Sequence, residues 1–123
     1  MRSKNYEIEK VWSAFRIWTE KDPNIELMWV DKYGYVLLIW DEVSENFSAS
    51  EVMQTGNQLL EEVLEYLLTF FCIRDDIDTL HVRERDRKRY KAELAPYIDK
   101  IPEYRELFDE IIRKYGQYRL YLS

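Results

Sequence analysis

Residues 25–42 run IELMWVDKYGYVLLIWDE, and this stretch constrains the chain more than any other. Two runs of β-branched, aromatic and leucine residues flank Asp31-Lys32-Tyr33-Gly34, where glycine can supply the positive φ of a tight turn. The pattern predicts strands at about 25–31 and 33–41, paired as a hairpin. The second run, Tyr35 to Trp40, is apolar at every position and therefore on both faces. A strand of that kind is central and covered on both sides, or covered on one side and used for a partner on the other.

The rest of the chain has a helical period. Ile8, Val11, Trp12, Phe15 and Trp18 fall on one face of a first helix, with Asn5 as the expected N-cap and KDPN at 21–24 as its end. Ser48 and Glu51 have capping-box spacing, and Phe47 and Val52 occupy the hydrophobic-staple positions. A helix start at Ser48 is expected from that pair. Thr55 and Gln58 offer a second box seven residues later. From Leu59 to Phe71 apolar residues cover a wide arc, the mark of the most buried helix, while Glu61, Glu62 and Glu65 share the remaining face. Asp78 or Thr79 is the expected cap of a basic helix that stops near Pro96. A last helix opens near Pro102 and ends before Gly116, and QYRLYLS at 117–123 reads as a short terminal strand. The expected fold is therefore α+β. A small antiparallel sheet, built from hairpin 25–41 and a short C-terminal strand, is packed by about four helices. A length of 123 residues fits a single compact domain over 1–123.

Charge separates along the chain. The net −6 divides into −3 over residues 1–50, −6 over 51–82 and +3 over 83–123. Within the basic part, HVRERDRKRY at 81–90 has five basic residues in ten. On a helical wheel they form no stripe. The i,i+4 pairs Arg83/Arg87 and Arg85/Arg89 repel by roughly 0.2–0.5 kcal/mol each. Something must offset that. The internal solution sets these arginines beside Glu61, Glu62 and Glu65. The external one uses Arg85, Lys88 and Arg89 as contacts to an anion such as a phosphate backbone. The interleaved Glu84 and Asp86 would repel phosphate, so the internal solution is expected and nucleic-acid binding is disfavoured.

Catalytic and cofactor signatures are missing. Three glycines cannot build the glycine-rich phosphate loops, and neither G-x-S-x-G nor a P-loop occurs. Cys72 and His81 are each single, which excludes an internal disulfide and a cysteine metal cage. Asp75, Asp76, Asp78 and His81 have metal-ligating types, but not the spacing of a known loop, and caps of adjoining helices explain them. No catalytic residue, cofactor or metal ligand is expected. MRSKNYEIEKVW lacks the apolar core of a secretory signal, and no run approaches the roughly twenty residues of a membrane span. A lone thiol then suits a reducing cytoplasm.

Ten Tyr and four Trp form a real bias. Trp29, Tyr33, Tyr35 and Trp40 cluster on the hairpin, and Tyr118 and Tyr121 on the terminal strand. Such residues bury large areas while keeping a polar tip, which suits interfaces. The expectation is a small cytoplasmic protein-interaction module of accessory, inhibitor or immunity type, using these six aromatics for a protein partner or for self-association as a homodimer. The alternatives are a nucleic-acid accessory working through the 83–91 helix and a small-molecule-binding or enzymatic α+β domain.

Overall fold

A computed structural model describes residues 2–30 and 33–116, with side chains from residue 6 onward. The fold is α+β. Among the described residues five helices accompany one three-stranded antiparallel sheet. The chain divides into two compact units, Met1–Glu62 and Val63–Ser123.

The first unit opens with α1 (Arg2–Ala14) and a single further turn, α2 (Arg16–Thr19). The helix thus begins before Asn5, which lies inside it rather than capping it. Ile8, Val11, Ala14 and Phe15 are buried along the expected face. The hairpin follows as β1 (Ile25–Val30) and β2 (Gly34–Asp41), paired from Ile25↔Ile39 to Val30↔Gly34. Gly34 is needed where it stands. Its φ is +120°, and a Cβ there would lie 2.3 Å from the Met53 carbonyl oxygen.

The third strand is β3 (Asn46–Ala49), which pairs with β2 from Leu38↔Ala49 to Asp41↔Asn46. This corrects the helix start expected at Ser48. The Ser50 hydroxyl accepts a hydrogen bond from the Leu37 amide at 2.9 Å, and the Ser50 amide donates to the Leu37 carbonyl at 2.9 Å. The segment then continues along β2 to a bridge between Tyr35 and Met53. Long-range pairing has overridden a good local cap. The second box is the one that forms. The Gln58 side chain accepts from the Thr55 amide at 3.1 Å, and the Gln58 amide donates to the Thr55 hydroxyl at 3.2 Å, opening α3 (Gly56–Arg74). The expected C-terminal strand, with Tyr118 and Tyr121, lies outside the described residues.

The second unit holds the rest of α3, then α4 (Glu84–Ile98), a 3-10 turn at Pro102–Tyr104 and α5 (Arg105–Lys114). Its core contains Val63, Leu64, Leu67, Leu68, Phe71 and Cys72 from α3, Leu94 and Ile98 from α4, and Phe108 and Ile112 from α5. Two expectations about α4 are corrected. Asp78 closes a local turn by accepting from the Leu80 amide at 2.9 Å, and the residue at the start of α4 is Arg83, whose amide donates to Asp86 at 3.3 Å. The helix also passes through Pro96 to Ile98. Proline in the last turn costs only the bond its missing N–H would have made to Ala92, while the Asp99 amide still reaches the Ala95 carbonyl at 3.0 Å.

Candidate functional site

Directly paired residues in an antiparallel ladder share a face. The register therefore puts Ile25, Leu27, Tyr35, Leu37 and Ile39 on one side of the sheet. Tyr35 and Leu37 are buried there, and the Tyr35 hydroxyl lies 3.4 Å from Glu9 of α1, which marks this as the inner side. Burial and the neighbouring Glu9 carboxylate push the Tyr35 phenol above its ordinary value.

The opposite, outer side carries Met28, Val30, Val36, Leu38, Trp40, Phe47 and Ala49, with Glu26 across from Leu38. Seven apolar side chains on an outer face are unusual, because a half-covered antiparallel sheet normally alternates apolar-in with polar-out. Met28 is 45% exposed and Phe47 63%. Val36, Leu38 and Trp40 are half-buried. The Trp40 and Phe47 rings meet edge to face at 4.8 Å and 64°, so the patch has one preformed aromatic corner.

Its rim is acidic. Glu26, Asp41, Glu42, Glu45 and Glu51 are all exposed. Asp41 accepts from the Val43 amide and the Ser44 hydroxyl, both at 3.0 Å. These bonds hold its carboxyl below the ordinary range and keep it charged at neutral pH.

The hairpin aromatics do not assemble as one cluster. Trp40 belongs to the outer face. Trp29 shares the inner register with Tyr35 yet is 60% exposed, and Tyr33 at the turn is equally exposed. Tyr35 is a core residue. Met28, Val36, Leu38 and Phe47 belong to the patch and were not among the residues expected at an interface. The signal for three of them was the doubly apolar β2 run and its paired strand. For Phe47 the capping-box reading masked it.

The basic helix has a different geometry. Asp75, just beyond α3, takes Arg74 at 2.9 Å, Arg89 at 3.1 Å and the Tyr90 hydroxyl at 2.8 Å. Arg74 also forms a two-pronged pair with Glu93 at 2.7 and 3.1 Å and lies over the Phe71 ring. The Arg74 bond, with help from Tyr90 and Arg89, lowers the Asp75 carboxyl to about 2. Burial first, and then Asp75, pushes the Tyr90 phenol up to about 12. Arg87 donates to the Tyr115 carbonyl at 2.9 and 3.0 Å, at the end of α5. Lys91 pairs with Asp109 at 3.1 Å. Ion pairs thus run from the cations of this region to Asp75, Asp86, Glu93 and Asp109, which offsets the repulsion internally.

Arg85, Lys88 and Arg89 line two depressions. Arg85 and Arg89 line an open cleft of about 770 Å³ that also holds Arg74 and Arg83, matched by Asp75, Asp76, Asp78 and Asp86. Lys88 lines a separate groove of about 630 Å³ between α4 and α5 with Arg87, Lys91 and Arg113, matched by Glu84, Glu106, Asp109 and Glu110. Each depression sets four acids against four strong bases, so neither projects a net cationic field.

Burial pushes the Cys72 thiol up, away from the thiolate a nucleophile needs. Among the described residues no three His, Cys, Asp or Glu side chains converge as metal ligands, and no helix is long and apolar enough to cross a membrane. Comparison with protein-family models, with curated proteins and with solved structures finds no match for this chain.

Proposed function

We propose that this chain is a small cytoplasmic protein-interaction module of accessory, inhibitor or immunity type that docks a protein partner through the outer face of its sheet. The observation that carries the reading is the group of seven apolar side chains on that face, with Phe47 63% exposed. Exposed apolar area of this kind loses free energy to water at roughly 25 cal/mol per Å² until something covers it. The buried, unpaired thiol of Cys72 is in keeping with a reducing compartment.

A nucleic-acid role is less well supported, because the cations that would carry it are divided between two charge-balanced depressions. The test is capture from native lysate of the source cell with wild type and with Phe47→Asp, both checked for unchanged melting. A stoichiometric protein bound by wild type and lost from Phe47→Asp is the expected result. Equal recovery by both proteins refutes the assignment to this face.

A further inference from the structure

We infer that the free edge of β3 takes a short, basic, extended segment of the partner as a fourth strand. This rests on the docking face proposed above and names what occupies it.

The ladder shows which backbone groups are free. Leu37 and Ser50 form a hydrogen-bonded pair, with the serine hydroxyl standing in for its carbonyl. Antiparallel pairs alternate, so Ile39 with Ser48 and Asp41 with Asn46 are also hydrogen-bonded, whereas Leu38 with Ala49 and Trp40 with Phe47 are not. The short Trp40–Phe47 ring contact agrees, since side chains approach more closely across non-hydrogen-bonded pairs. The N–H and C=O groups of Phe47 and Ala49 therefore point away from β2, along the open edge. Their side chains lie on the apolar outer face. One edge thus presents backbone partners and an apolar platform together, the two requirements of strand addition.

Nothing in β3 blocks that edge. The strand reads Asn-Phe-Ser-Ala, without a charge or a proline, and all four residues are exposed. Among the described residues no further strand pairs with it. Four residues of edge suit a short segment rather than another sheet.

The charge of the segment follows from its surroundings. Asp41, Glu42, Glu45 and Glu51 flank β3 in the sequence, and residues 33–73 contain no lysine or arginine. The first unit as a whole carries 6 basic and 12 acidic residues, net −6, so the entire charge of the protein resides there. A second copy would bring the same charge to the same edge and be repelled. A lysine- or arginine-bearing strand with apolar residues at alternate positions would be attracted and would cover Phe47.

The probe is a labelled heptapeptide alternating lysine and valine, titrated into the full chain by fluorescence anisotropy at low and high salt. Binding is expected, weakened about tenfold or more by salt. Ala49→Pro should weaken it by a similar factor, because it removes an outward N–H that β2 does not use and proline is tolerated on an edge strand. Phe47→Ser should do the same. A peptide of the same pattern, N-methylated along one edge, tests strand addition without altering the protein, should Ala49→Pro fail to fold. Undiminished binding of that peptide overturns strand addition. Equal binding of a glutamate–valine peptide overturns the basic occupant. A wild-type dimer in sedimentation that Phe47→Ser dissociates overturns it in favour of a second copy. If the heptapeptide is ignored while Phe47→Asp still loses a captured partner, this inference fails and the docking face stands. If Phe47→Asp keeps the partner, both fail.

Discussion

The outer face of the sheet and the surface of α4 make opposite use of conspicuous sequence. The α4 segment has five basic residues in ten, yet its charges close on one another. Arg89 is held by Asp75 and Asp86, Arg87 by the Tyr115 carbonyl, and Lys91 by Asp109. The outer face is built from a run that would pass for ordinary core, yet Met28 and Phe47 remain open to water. Charge density along a sequence does not measure the potential a surface projects, because i,i+3 and helix-end acids neutralise it at short range. An apolar residue has no such local remedy. It stays in contact with water unless another element covers it.

Strand β2 contributes to both sides of the sheet. Leu37 and Leu38 are adjacent and identical in chemistry, but Leu37 is 1% exposed on the inner face and Leu38 is half-buried on the outer one. Leu37→Ala should cost about 2–5 kcal/mol, through lost transfer energy and the cavity left behind. Leu38→Ala should cost about 1 kcal/mol or less, since water already reaches it. Urea denaturation of both variants measures the difference. Equal losses would mean that the outer face is as covered as the inner one, and the docking proposal would lose its foundation.

The same strand shows what could be read in advance. The Asp31–Gly34 turn signal and the alternation of β-branched and aromatic residues placed β1 and β2 within a residue or so, and the doubly apolar run marked β2 as central. Wide arcs and stripes marked the bodies of α3 and α5, but not where they begin. What failed was decided by distant partners. Ser48–Glu51 is a sound cap by local rules, but β2 needed a neighbour on its second edge and Ser50 supplied the Leu37 amide with an acceptor. The α4 boundary failed because proline is a barrier only where its N–H and the preceding turn matter. The place of Asp75 was hidden for a similar reason, because the end of α3 delivers it to Arg74, Arg89 and Tyr90 at once. The apolar outer face was half legible. Of the residues singled out on the hairpin, Trp40 lies on that face and Tyr35 is core, while Phe47 was absorbed into a staple that does not form.

Asp75 allows the α4 side of the comparison to be tested by pH. Its carboxyl is lowered from 3.8 to about 2, chiefly by the Arg74 bond. A lowered folded-state value stabilises the fold fully above the ordinary carboxylate range, and that stabilisation is lost as pH falls from about 4 through about 2. Asp75→Ala should cost about 1–3 kcal/mol at neutral pH, since it leaves two arginines and the buried Tyr90 hydroxyl short of an acceptor. It should also flatten the acid limb of the stability curve over that window. A variant whose acid limb matches wild type would remove Asp75 from the role of hub.

The smallest effects discriminate within the charge run itself. Arg89 has two carboxylates and the Tyr90 ring at 5.2 Å, whereas among the described residues Lys88 has only Glu84, at 3.9 Å between side chains that are largely in water. Exposed pairs of the second kind are worth close to nothing. Arg89→Met should therefore lower stability more than Lys88→Met, which should leave it almost unchanged, as paired melting curves would show. Neither should change retention on a polyanion column, because each sits in a depression where acids equal bases. Retention that falls steeply with salt, and falls further for Lys88→Met than for Arg89→Met, would show that the run projects a field after all. The contrast between a closed cationic surface and an open apolar one would then have to be redrawn with both surfaces open.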